Sequence, residues 1–217
     1  MNELSLDFSF EARYYKLGEI NGNTRAVWFV LHGYGQLAKY FGQKFKSLVE
    51  HNVCVIVPEG LSRFYLENME TRLQTGNSRV GSTWMTKENR EMDIRNYLSY
   101  LDTLHKREIG GKHLPVTILG FSQGAATASR WAIHNQVNYE RLILWAGIFP
   151  PDMNFQKGHE VLSKRDVLLT YGMSDPYINE ARMKEMTMLT QKLNITPRIV
   201  TFSGGHDIDD QTLISLV

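Results

Sequence analysis

Cysteine occurs once in this 217-residue chain, at Cys54. That excludes an internal disulfide and any cysteine-based metal cluster. An excess of one charge sign is also missing: 24 Lys and Arg face 23 Asp and Glu, a net charge of +1, and no block of like charge occurs. A chain so balanced carries no electrostatic footprint for nucleic acid or for an anionic membrane surface. No apolar run approaches the roughly 20 residues of a membrane-spanning helix. The stretch Met1–Asp7 is acidic and alternating, without the basic region and apolar core of a signal peptide. These absences lead to the expectation of a soluble, cytoplasmic protein. Repeats, low-complexity tracts and linkers are absent too, so residues 1–217 read as one domain with a full core.

What is present alternates. Leu4, Leu6, Phe8 and Phe10 interleave with polar residues, and Ala12 to Leu17 follows as a second strand candidate. The chain is therefore expected to open with an antiparallel pair. Ala26–Leu31 and Val53–Val57 are apolar throughout, as in strands covered on both faces. Leu37 to Glu50 has helical spacing. Glu59 to Lys87 is polar, contains glycine and scattered aromatics, and reads as loop with short helical pieces. Glu88 to Lys106 is the longest helix candidate, with Met92, Ile94, Tyr97, Leu98, Leu101 and Leu104 on one face. Further strands are expected at Leu114–Leu119, Arg141–Ala146, Val167–Tyr171 and Arg198–Phe202, and helices at Glu180–Leu193 and from about Asp209 or Asp210. Strands alternating with helices predict a mostly parallel sheet covered on both faces, with right-handed crossovers.

The pentapeptide Gly120-Phe121-Ser122-Gln123-Gly124 stands between a strand and a helix. A G-x-S-x-G match arises by chance in about one chain of this length in fifteen. The strand–turn–helix setting removes most such matches and points to a nucleophile elbow. Its two glycines let strand and helix backbones approach closely, and its serine is expected in a strained conformation.

A serine hydroxyl needs a base, and the base needs an acid to orient it. In a hydrolase sheet the chain order is serine, acid, histidine. Three histidines follow Ser122: His134, His159 and His206. His134 falls at the end of the elbow helix and His159 in a surface loop. His206, in Ser203-Gly204-Gly205-His206-Asp207, follows the last strand and is the candidate base. Asp175 follows the strand Val167–Tyr171 and is the preferred acid, with Asp152 its chief rival. Asp166 lies at the wrong end of its strand, and Asp207 adjoins His206 too closely to reach its ring. Two backbone N–H groups should face the developing oxyanion. Gln123 at the helix start supplies one, and Tyr34 in His32-Gly33-Tyr34-Gly35 is placed to supply the other. His32 reads as a loop-fixing residue and Cys54 as a small core residue.

Leu31-His32-Gly33-Tyr34-Gly35, Gly120–Ala125, Gly172-Met173-Ser174-Asp175-Pro176 and Gly205-His206-Asp207, in this order, resemble the phospholipase/carboxylesterase family that includes the acyl-protein thioesterases. The resemblance implies an α/β-hydrolase fold, Ser122, Asp175 and His206 as the triad, and Tyr34 and Gln123 as oxyanion donors. It implies a small-molecule acyl ester or thioester as substrate, and no metal or organic cofactor. A homodimer is compatible with it. The same triad could serve acyl transfer or peptide hydrolysis, and a hydrolase fold without turnover could serve as a binding protein. Phe64, Trp84 and Met85 could line an acyl pocket or serve as core contacts of a long loop. Arg63, Arg72, Arg79 and Lys87 could meet an anionic group or be scattered surface charge.

Overall fold

A computed structural model describes residues 1–134 and 136–217. Among these, seven strands form one sheet: β1 (Tyr14–Leu17), β2 (Ala26–Leu31), β3 (Val53–Pro58), β6 (Val116–Phe121), β7 (Arg141–Trp145), β8 (Asp166–Gly172) and β9 (Arg198–Phe202), in the spatial order β1-β3-β2-β6-β7-β8-β9. All neighbours are parallel except β1, which runs antiparallel to β3 with Tyr14 opposite Pro58 and Leu17 opposite Val55.

The all-apolar strands are explained by the two-residue period of a pleat, which sends alternate side chains to opposite faces. From β2, Val27, Phe29 and Leu31 join one buried cluster, and Trp28 and Val30 join the other. In β7, Leu142 and Leu144 take the first face, and Ile143 and Trp145 the second. The first face is covered by α4 (Arg90–Ile109), α5 (Gln123–His134), α6 (Phe155–Leu162) and α7 (Glu180–Leu193). The second is covered by α1 (Ala38–Phe41), a 3₁₀ turn at Gly42–Phe45, α2 (Lys46–Glu50) and α8 (Asp210–Ser215). Asn154, Asn179 and Asp209 cap α6, α7 and α8, each accepting a backbone N–H three residues on. No helix among the described residues is long and apolar enough to cross a membrane.

Two expectations need correction. Leu4, Leu6, Phe8 and Phe10 form no strand and stand exposed. The antiparallel pair is formed by β1 with β3, and among the described residues no strand pairs with the outer edge of β1. The segment 59–87 holds, besides the short helix α3 (Met69–Thr75), an antiparallel ladder of β4 (Ser62–Tyr65) with β5 (Val80–Thr83). A helix separates these strands, so no short-turn signature announces the pairing. In α4, Met92 is exposed and stands off the apolar face.

Candidate active site

The site is built at the carboxyl end of the parallel strands. Ser122 lies between β6 and α5 at φ 53°, in the left-handed region that costs a residue with a Cβ. Its backbone N–H donates to Trp145 O at 2.9 Å, and its carbonyl accepts the Ala125 N–H at 3.0 Å, so the strain is held from both sides. The glycines at either end of the pentapeptide are sterically required. A Cβ on Gly120 would lie 2.2 Å from Gly124 O, and one on Gly124 would lie 2.3 Å from Leu31 O. Both obstacles are backbone and cannot swing aside. Gly124→Ala should therefore destabilise the fold by at least about 3 kcal/mol. Urea unfolding measures this, and a loss below about 1 kcal/mol would show that the elbow can relax.

The loops after β8 and β9 are tied together. Met173 N–H donates to Phe202 O at 2.9 Å and Ser174 N–H to Gly204 O at 2.8 Å. This brings Asp175 under His206, whose Nδ1–H donates to Asp175 Oδ2 at 2.7 Å. Asp175 is buried, and its Oδ1 accepts the Tyr177 N–H at 2.9 Å. The His206 ring is wedged between Phe121 and Tyr177, with centroids 4.8 and 4.7 Å away. An Nδ1–H held by a carboxylate leaves Nε2 as the ring's free acceptor. Ser122 and His206 line the same cleft, of about 630 Å³, together with Met85, Gln123, Arg130 and Tyr177. Among the described residues no hydrogen bond joins the two side chains, and such bonds often form only once a substrate binds. Another hollow, of about 270 Å³ and lined by Arg25, Thr117 and Asp166, opens at the other end of the sheet, away from Ser122.

The loop after β2 carries Gly33, whose Cα approaches Ser122 so closely that a Cβ would stand 3.2 Å from the serine Cβ. Gly33 N–H donates to Gln36 Oε1 at 2.8 Å, Gly35 N–H to Ser82 O at 2.9 Å, and Ser82 N–H to Gln36 O at 3.2 Å. The β4–β5 ladder thus braces this loop from outside. Among the described residues, neither the Tyr34 N–H nor the Gln123 N–H finds an acceptor within the protein. The Gln123 side chain is engaged instead, with Thr83 Oγ1, Met85 O and the Trp84 N–H.

His32 fixes the loop, as its sequence position suggests. It is buried, its Nδ1–H donates to Gly33 O at 2.7 Å, and its Nε2 accepts the Gly60 N–H at 3.0 Å. Burial pushes its pKa down from 6.5 to about 4, outweighing the Gly33 carbonyl and the charge of Glu59. The folded protein therefore keeps His32 neutral where the unfolded chain protonates it. That contribution to stability is complete above pH 6.5 and lost as pH falls towards 4, at a cost of about 3 kcal/mol. Urea midpoints at pH 7 and pH 4.5 should show this drop in the wild type and a smaller one in His32→Gln. Equal drops in both proteins would refute it.

The residues expected at an acyl pocket divide. Met85 lines the cleft. Trp84 does not: it is buried, stacks on His32 at 5.0 Å and donates from Nε1 to His32 O at 2.9 Å. Phe64 packs against the exposed Tyr34 ring at 5.1 Å and faces a separate shallow hollow beside Tyr65 and Val80. Asp152 makes no contact with His206; its carboxylate holds Arg130 and Arg90, each at 2.6 Å. Burial opposes its charge, but the Arg130 hydrogen bond and both guanidiniums hold its carboxyl below the usual range. His134 pairs with Asp102 at 2.9 Å. His159 sits on α6, not in a loop, with Nδ1 donating to Leu193 O. Cys54 is buried, and burial pushes its thiol up to about 11.

The arginines singled out by sequence are spoken for. Arg63 and Arg79 pair with Glu59 and Glu67, and Arg72 stacks on Tyr65. The cleft is lined by three others that sequence reasoning missed: Arg90, Arg130 and Arg182. For Arg130 a signal was available, because Ala126 and Arg130 stand four residues apart, on one face of the helix that Ser122 leads into.

Chemically, the arrangement places a hydroxyl on a strained turn beside an imidazole anchored by a buried carboxylate, with two unpaired N–H groups nearby. Known proteins of this architecture are similar over nearly their whole length. The acyl-protein thioesterase 2 of Zea mays superposes with a TM-score of 0.69 at 18% identity, covering 95% of this chain and 96% of that one. The esterase PE8 gives 0.65 at 20% identity, with 95% and 96% covered. A Bacillus cereus carboxylesterase gives 0.64 at 17%, with 94% and 91% covered. At these identities the likeness carries the fold alone. No curated protein matches the sequence. The model of the phospholipase/carboxylesterase family matches residues 19–217. With that match over most of its length, the chain belongs to the phospholipase/carboxylesterase family of α/β-hydrolases.

Proposed function

We propose that the protein is a serine hydrolase that cleaves carboxylic esters or thioesters through an acyl-enzyme, working as one domain over residues 1–217. The observation that carries this reading is the convergence at one cleft of Ser122, on its strained elbow, and His206, held by Asp175 at 2.7 Å. The hydroxyl of Ser122 attacks the substrate carbonyl while His206 Nε2 takes its proton. The Ser122 Oγ–carbonyl bond forms and the electron pair moves to the oxygen, which the Tyr34 and Gln123 N–H groups receive. Each such donor contributes about 3–4 kcal/mol to stabilising the transition state. Asp175 fixes the imidazole tautomer and stabilises the imidazolium. His206 then protonates the departing alcohol or thiol, and water repeats the sequence on the acyl-enzyme.

Support comes also from the family and from the contacts of the two aspartates: Asp152 is engaged by two arginines, while Asp175 bonds His206. The test is a panel of 4-nitrophenyl esters and acyl thioesters of graded chain length, run on wild type and Ser122→Ala. Turnover by the wild type alone is expected. Turnover of the panel by the variant at the wild-type rate would overturn the reading.

A further inference from the structure

The Ser122 cleft carries an excess of positive charge that the hydrolysis of a neutral ester does not need. Arg90, Arg130 and Arg182 line it, and the carboxylates engaging them are Asp152, shared between Arg90 and Arg130, and Glu185, paired with Arg182 at 2.7 Å. Three guanidiniums thus face two carboxylates. The pairing is also incomplete in detail. Arg130 is 8% exposed, and its Nη1 meets the Met85 sulfur at 3.7 Å, beside the buried Tyr97 hydroxyl. Arg90 Nε is buried with no partner among the described residues. A buried N–H donor without a partner, such as Arg90 Nε, is costly unless an acceptor arrives.

Position makes this a substrate feature. Ser122, Ala126 and Arg130 follow one another at four-residue spacing, and all three line the cleft. The small Ala126 leaves the floor open between the hydroxyl and the guanidinium. Ser122 leads into the helix that starts at Gln123, and the seven-residue step from Gln123 to Arg130 rises about 10 Å. Helix side chains lean back towards the N-terminus, which shortens the gap from Arg130 to the reacting carbonyl. Resting on the serine-hydrolase reading above, we infer that the substrate carries a carboxylate, set a short methylene spacer from the scissile carbonyl and received by Arg130 and Arg90. A planar guanidinium suits a carboxylate because its parallel N–H groups match the two oxygens.

The experiment compares esters that differ only in this charge. On the acyl side, 4-nitrophenyl hydrogen adipate and suberate are set against their methyl-capped counterparts. On the alcohol side, the butyrate ester of 6-hydroxyhexanoate is set against that of its methyl ester. Rates are taken above the uncatalysed background. Wild type should favour the free carboxylate at least tenfold in kcat/KM, through KM, in one of the two pairs, which assigns the carboxylate to acid or alcohol. That ratio should fall towards one in Arg130→Met and in high salt. Arg90→Gln, a change at a more exposed side chain, should lower it in the same direction. A wild-type ratio at or below one in both pairs overturns the inference, as does a ratio that persists in both variants. Either result would leave the serine mechanism standing if Ser122→Ala is inactive on the capped esters. Activity surviving in Ser122→Ala would remove the mechanism itself.

Discussion

Ser122→Ala is expected to lower kcat on any ester that the wild type turns over by at least about 10⁴-fold. The fold should stay within about 1 kcal/mol of the wild type. On the proposed mechanism, the activity loss follows from removing the atom that forms the acyl bond. The small stability change follows from the local structure: among the described residues the Ser122 side chain makes no hydrogen bond, while its backbone is held by Trp145 and Ala125. Stopped assays and urea unfolding on the same preparations separate the two effects. A variant that lost activity and stability together would point to collapse of the elbow, not to loss of a nucleophile.

Asp175→Asn should lower kcat by about 10³- to 10⁴-fold. The carboxylate is buried, and each of its oxygens has a partner: Oδ2 accepts from His206 Nδ1 and Oδ1 from the Tyr177 N–H. An amide offers one acceptor oxygen for these two donors. If it keeps Tyr177, its NH₂ group faces His206 Nδ1, drives the proton to Nε2, and leaves the ring unable to take a proton from Ser122. KM should change far less than kcat, because Asp175 lies beneath the ring and away from the substrate. Asp152→Asn provides the contrast. It should leave the His206 tautomer alone and act on the cleft through Arg130 and Arg90. An Asp175→Asn enzyme with near-wild-type kcat would mean that another group orients the imidazole.

Much of this was legible in the sequence, for identifiable physical reasons. A strand buried on both faces has to be apolar throughout, so β2, β3 and β7 announce themselves within a residue or two of their ends. The elbow is legible because its geometry tolerates glycine alone at positions 120 and 124, where a Cβ would meet backbone. The pairing of Asp175 with His206 beside the cleft was legible because loops at the carboxyl end of parallel strands converge there.

The rest depended on contacts that span the chain. Alternation in residues 4–10 says what the segment could bury and not what it pairs with; β1 finds its antiparallel partner in β3, some 40 residues on. The β4–β5 ladder is held by the loop after β2, through Gly35 and Gln36 against Ser82, a contact between segments some 46 residues apart. Trp84 shows the same limit from another side. A large aromatic next to a site could face substrate or core, and its indole N–H settled the matter by bonding His32 O beneath the loop. The arginines of the cleft come from α4, α5 and α7, so their convergence belongs to the packing of helices and to no local motif.

The most direct test of the central claim, that Ser122 is a nucleophile activated by His206, is covalent labelling with a fluorophosphonate followed by intact-mass and peptide analysis. The reagent traps an activated serine without requiring the right acyl group. One adduct, placed on Ser122 and absent from Ser122→Ala, with labelling slowed in His206→Gln, is the predicted result. No adduct on Ser122, or labelling at the same rate without His206, would contradict the account and leave the elbow as a scaffold for binding.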